Sequence, residues 1–223
     1  MDIMSFIKDH FWHAAPILAS AALGVIIILE RSYCLYLRYP IMNAEKFFAR
    51  VSAAVMQANI RQAAEICGEY KNKPTARVVQ AGMARAHLPE GLIQDGIQLS
   101  LQSCTQLITK RTAFLATIAN VATLLGLVGT IAGLIQSFEA VAHADAQQKS
   151  ALLSQGISTS MNATMMGLAV AVPCMVAYSI LINRSNGLLA ELEQTAVRTL
   201  DILKQRFYTS PSVTNDSVFE RAS

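Results

Sequence analysis

The sequence predicts an all-α integral membrane protein with three transmembrane helices, and three observations carry that prediction. Of its 223 residues, 53% are apolar and only 15% are charged, where a soluble domain carries roughly a quarter charged residues. The mean hydropathy is +0.37. Three stretches lack charge for long enough to cross a hydrocarbon core of roughly 30 Å, which needs about 20 helical residues. The 11 Gly, 6 Pro and 4 Cys fit neither a disordered chain, a collagen nor a disulfide scaffold. A formal charge of +3 is too small to point to nucleic acid.

The elements follow in order. In residues 1–12, Ile3, Phe6, Ile7 and Phe11 recur at helical spacing ahead of Trp12, the pattern of an amphipathic segment lying on the outer membrane surface. Its charges, Asp2 and Asp9 against Lys8, have the wrong polarity for a signal peptide. The uncharged run from Phe11 to Leu29 therefore reads as a retained span, within a helix over 13–36. Residues 37–112 read as a cytoplasmic helical domain. Asn43 caps a helix with Phe47, Phe48, Val51 and Val55 on one face, and Pro74 and Pro89 punctuate later helices. From Leu92, the pattern Ile93, Ile97, Leu101, Cys104, Leu107 and Ile108 continues without a breaker into the second span, predicting one uninterrupted helix.

That second span, 113–140, holds the uncharged run Ala113 to Phe138, about 39 Å of helix. An outer loop over 141–152 leads to the third span, 153–183. Its uncharged run, Ser150 to Asn183, would make about 51 Å of helix, so part of it leaves the hydrocarbon or tilts. Leu188, Leu189, Leu192, Ala196, Leu200 and Leu203 extend this helix amphipathically over 184–208. The polar stretch 209–223, with Pro211, reads as a disordered tail.

Charge sets the orientation. Of the 18 Lys and Arg, all but Lys8 and Lys149 fall at Arg31, between the first two spans, or after the third. The positive-inside rule then puts the N-terminus outside and the C-terminus in the cytoplasm. Cys34, Cys67, Cys104 and Cys174 form no CxxC, and His10, His13, His87 and His143 are scattered, so neither a metal site nor a cofactor is expected. No nucleophile and base converge either, which argues against an enzyme.

The second span carries a polar stripe. Asn120, Thr123, Thr130 and Ser137, with Leu127 and Leu134 between them, recur every three or four residues and are expected on one helix face. The third span gathers Gln155, Ser158, Thr159, Ser160, Asn162 and Thr164, more polar atoms than a lipid-facing helix accepts, so they need a wet or protein-lined interior. With the hairpin centred near Gln147, Thr130 lies 17 residues before the centre and Thr164 lies 17 after it. The two hydroxyls are then expected at one depth on antiparallel helices. Gly126, Gly129 and Gly133 in the second span and Ala163, Gly167 and Ala171 in the third predict close helix packing, within a subunit or between subunits, and Pro173 predicts a bend.

The uncharged runs of these two spans contain no Asp, Glu, Lys, Arg or His. A proton path needs a carrier, so a partner must supply it. Glu30, beside Arg31, and Glu139 are the nearest carboxylates, each at a predicted membrane edge.

The strings GLVGTIAGLIQSF, from Gly126 to Phe138, and GISTSMNATMMGLAVAVP, from Gly156 to Pro173, resemble the two core helices of the MotA/TolQ/ExbB proton-channel family. The three-span layout resembles its ExbB/TolQ branch. This resemblance implies a subunit of a proton-driven motor in the bacterial inner membrane, with the N-terminus and the 141–152 loop periplasmic. It implies a homopentamer around a dimer of a single-span ExbD/TolR-like protein whose membrane Asp carries the proton. Downstream it implies a TonB/TolA-like or gliding-complex protein, and hence Ton-type transport, Tol-type envelope maintenance or gliding motility. The family's pore threonines map onto Thr130 and Thr164, with Asn120, Thr123, Ser137, Thr159, Ser160 and Asn162 expected along the pathway. Thr159 stands where ExbB and TolQ usually carry a Glu. The competing reading is a non-conducting scaffold in which the threonines only pack helices.

Overall fold

The structure, a computed structural model, describes residues 11–39, 44–57, 59–70 and 72–209. Those residues are overwhelmingly helical, with no strand among them. The chain forms α1 (Phe11–Tyr33), a π-helical turn (Cys34–Arg38), α2 (Ala44–Met56), α3 (Ile60–Glu69), α4 (Pro74–Ala84), α5 (Glu90–Thr109), α6 (Thr112–Ala142) and α7 (Lys149–Thr209). The predicted outer amphipathic segment, the Asn43 cap and most of the predicted tail lie outside the described residues. Contacts divide the chain into two compact units, the first of residues 1–35 and 109–184, the second of 36–108 and 185–223.

In the first unit α1, α6 and the first part of α7 pack through small side chains. Ala119 and Ala122 of α6 meet Ala171 and Cys174 of α7, with Ile28 of α1 against them. Ala14 and Ile17 of α1 meet Met166 of α7. A methyl group on Gly24 of α1 would stand 2.8 Å from the Cys174 sulfur, so that glycine sets how closely α1 approaches. The larger apolar residues point outward instead: Leu23, Ile26 and Leu29 on α1, Leu124, Val128 and Ile135 on α6, Val172, Val176 and Ile180 on α7 are all more than half exposed. Three helices are long and apolar enough to cross a membrane, and only 22–28% of each apolar stretch is buried within the chain. That surface belongs in hydrocarbon or against other helices.

The second unit packs around apolar residues of its own. Phe47, Val51 and Val55 of α2 are buried, and the Phe47 ring meets Phe48 and Tyr70 edge-on, with centroids 5.5 Å apart in both pairs. Asn59 caps α3, its side-chain oxygen accepting from the Gln62 amide at 3.1 Å. Pro74 opens α4 at its first position, where a missing N–H costs nothing. Ile93, Ile97, Cys104 and Ile108 of α5 turn inward together, as do Leu188, Leu192, Ala196 and Leu203 of α7. Lys204 closes on Glu90 at 2.7 Å.

One expectation fails. The helix predicted to run unbroken from Pro89 into the second span divides between α5 and α6 at Lys110 and Arg111. Arg111 adopts a left-handed φ of 63°, which costs a non-glycine residue about 1–2 kcal/mol. The compensation lies far away in sequence: Arg111 Nη1 donates to both carboxylate oxygens of Glu30, at 2.7 and 2.8 Å. Glu30 is therefore partnered with Arg111 at the start of α6, while its sequence neighbour Arg31 is 2% exposed. The first span also ends differently, since its last predicted turn widens into the π-helix at Cys34–Arg38. The helix through Pro173 is continuous.

A threonine pair on a glycine seam: the candidate functional site

The seam between α6 and α7 is held together by residues with little or no side chain. A methyl group on Gly167 would lie 2.6 Å from the Ala122 carbonyl oxygen and 2.9 Å from Gly126 Cα; on Gly126 it would lie 3.2 Å from Gly167 Cα. These are backbone atoms, so the two helices touch main chain to main chain. Farther along, Gly129, Gly133 and Gly156 each receive a small side chain of the facing helix, from Ala163, Ser160 and Ser137. The predicted small-residue sets on the two helices therefore pack against one another inside a single chain. Gly156 belongs to this set too, and the four- and three-residue spacing Gly156, Ser160, Ala163, Gly167, Ala171 was the signal for it.

Close approach brings polar atoms into contact. The Thr130 and Thr164 hydroxyls bond each other directly. Thr130 Oγ1 also lies 3.1 Å from the Gly126 carbonyl oxygen and 3.2 Å from that of Ser160, and Thr164 Oγ1 lies 3.2 Å from the Gly126 oxygen. Each hydroxyl has one proton and two lone pairs. Two proton arrangements satisfy the group. In one, Thr130 donates to Thr164, which donates to Gly126; in the other, Thr164 donates to Thr130, which donates to the Ser160 or Gly126 carbonyl.

The linker between the helices spans residues 143–148, so its midpoint sits earlier than Gln147 and Thr130 is about three residues, or ~4.5 Å, nearer the turn than Thr164. Side chains on a helix tilt toward its N-terminus. Thr130 leans away from the turn and Thr164 leans toward it, which closes the offset.

The other expected site residues separate into three groups by burial. Ser137 and Ser160 are buried in the seam, donating to the Gly133 carbonyl at 2.6 Å and the Gly156 carbonyl at 2.8 Å. Asn162 is half-buried. Thr159 is half-buried and donates to its own helix at Gln155, 2.9 Å away. Asn120 and Thr123 are exposed at the far end of α6, Thr123 bonding back to the Ala119 carbonyl at 3.0 Å. From Asn120 to Ser137 the stripe rotates by about 100° net, which puts the exposed Asn120 at one edge of the face and the buried Ser137 at the other. Among the described residues no three His, Cys, Asp or Glu side chains gather into a cluster.

Comparison with known proteins agrees with this geometry. The family model described as the MotA/TolQ/ExbB proton channel family matches residues 70–194, which include α6, the linker and the seam portion of α7. The chain is 27% identical to the biopolymer transport protein exbB1 of Vibrio cholerae, over 82% of this chain and 80% of that one. It is 29% identical to the ExbB-like 3 protein of Synechocystis, over 89% of this chain and 93% of that one. Against the Tol-Pal system protein TolQ of Haemophilus influenzae it is 32% identical over 45% of each chain. A multi-pass helical chain whose matched region covers more than half its length and carries this seam belongs to the MotA/TolQ/ExbB proton channel family, in its ExbB/TolQ branch.

Proposed function

We propose that this chain is the ring-forming subunit of a proton-driven motor in the inner membrane. Five copies surround two copies of a single-span partner of the ExbD/TolR kind, and the partner's membrane Asp carries the proton past the threonine pair. The observation that carries this reading is the direct contact of two hydroxyls, Thr130 and Thr164, within the runs Ala113 to Phe138 and Ser150 to Asn183, which contain no Asp, Glu, Lys, Arg or His. A hydroxyl pair with two interchangeable proton arrangements accepts from a carboxylic acid and donates to a carboxylate equally well. It serves the carrier in both protonation states, while the glycine seam keeps the pair in register. The work is delivered to an envelope protein of the TonB/TolA or gliding kind, and the N-terminus lies in the periplasm.

A second reading, a non-conducting scaffold, is favoured by one fact: Thr123, Ser137, Thr159 and Ser160 all bond carbonyls of their own helices. Membrane hydroxyls do this for modest gains without any transport role. Native mass spectrometry of the complex drawn from its own membranes separates the two. The motor reading expects a five-to-two complex with a small single-span protein; a ring that never carries a partner leaves the axis without a titrating group and favours the scaffold.

A further inference from the structure

The seam is flanked by a groove. Toward the 143–148 linker, beside the close contact of Gly156 with Ser137, α6 and α7 border a groove of about 200 Å³ lined by Gln136, Ser137, Gln155 and Thr159 with Gly133 and Gly156. Such a volume holds several waters, and water needs polar partners of this sort. Beside the apolar Ala140 and Leu152 the groove presents amides and hydroxyls, and no charged group. Its floor is thin. Ser160, 2% exposed, donates its hydroxyl to the Gly156 carbonyl that lines the groove, while its own carbonyl receives Thr130 at 3.2 Å. One residue separates the groove from the threonine pair.

On the reading given above, we infer that this groove is the inlet by which water and a small hydrated cation, hydronium or sodium, reach the pair from the linker side, with Ser160 as its floor. The route runs inside one subunit, along the seam. A neutral lining suits it, since a fixed carboxylate would hold the cation instead of passing it on. The glycines matter here as well: a methyl group on Gly133 would lie 2.5 Å from the Ser160 hydroxyl, and one on Gly156 would overlap that of Ser137.

Cysteine modification from outside intact cells tests the inference with a charged, membrane-impermeant methanethiosulfonate. Ser137 and Ile135 lie about 200° apart on α6. Ser137 is 7% exposed and Ile135 54% exposed in the isolated chain. A dry thiol does not ionise and does not react. The inference therefore expects Ser137→Cys and Thr159→Cys to react at least about tenfold faster than Ile135→Cys, reversing their order of exposure. Asp145→Cys in the linker gives the rate of an open site, and the parent chain, whose Cys174 is buried, gives the background.

Modification should also block proton flux through the complex reconstituted in vesicles. Ser137→Cys and Thr159→Cys reacting no faster than Ile135→Cys, while the parent conducts, overturns the inlet alone. Rapid modification that leaves flux untouched also overturns it, since the groove is then wet but off the route. A parent complex that conducts no ion overturns the motor reading on which the inlet rests.

Discussion

Gly167→Ala puts the architecture of the seam to a quantitative test. The added methyl would stand 2.6 Å from the Ala122 carbonyl oxygen and 2.9 Å from Gly126 Cα. Ordinary contact begins near 3.4 Å, and neither obstacle is a side chain that can swing aside, so α6 and α7 must part by about 0.8 Å. A gap of that size forfeits a quarter to a half of the dispersion attraction along the contact. Overpacking of this kind costs about 1–3 kcal/mol. Gly187, on the same helix in the second unit, is the control: nothing lies within 4 Å of its missing Cβ. There Ala should be neutral or stabilising by up to ~1 kcal/mol through helix propensity. Thermal unfolding in a mild detergent, followed by circular dichroism, should place Gly167→Ala below the parent and Gly187→Ala at or above it. A Gly167→Ala chain as stable as the parent would refute main-chain packing at the seam.

Two further outcomes follow from particular residues. Arg111→Ala loses the Glu30 pair but keeps the left-handed backbone, whereas Arg111→Gly relieves about 1–2 kcal/mol of strain. Both partners are roughly half exposed, so the pair itself contributes at most ~1 kcal/mol. The Gly variant should therefore melt above the Ala variant, and the reverse order would argue against strain at Arg111. Burial in the second unit pushes the Cys67 thiol from the usual 9.0 up to about 11. Its folded-state pKa is raised, so its contribution to stability is complete below pH 9 and is lost as the pH climbs toward 11. Denaturant midpoints between those limits should fall more steeply for the parent than for Cys67→Ala, and at pH 8 the thiol should react with a maleimide only after unfolding.

How far the sequence alone reached differs from element to element. The spans were plain because 26 and 34 consecutive uncharged residues have no other home than a membrane or its protein-lined equivalent. The helices of the second unit were marked by prolines at their starts and by apolar residues at helical spacing. The break at Arg111 was invisible, because no glycine or proline marks it and the partner that Arg111 finds there, Glu30, lies 81 residues earlier. The π-turn at Cys34–Arg38 likewise has no local signature. At the site, equal spacing from an assumed turn brought Thr130 and Thr164 together on paper. The turn sits earlier than assumed, and the hydroxyls still meet because their side chains lean toward each other. The stripe from Asn120 to Ser137 spreads over about 100° of a helix of 3.6 residues per turn, and its Ser137 end is the part buried in the seam.

The most direct measurement is proton flux through the complex, isolated with its partner and reconstituted in vesicles carrying an internal pH dye. Thr130→Val and Thr164→Val keep shape and remove one hydroxyl each, while Thr130→Ser and Thr164→Ser keep the hydroxyl and remove a methyl. If the pair relays protons, each Val variant loses at least about tenfold in flux, equivalent to ~1.4 kcal/mol on the barrier, with the complex still assembled. Each Ser variant stays near the parent. Val variants that assemble and conduct like the parent would contradict a proton path through Thr130 and Thr164.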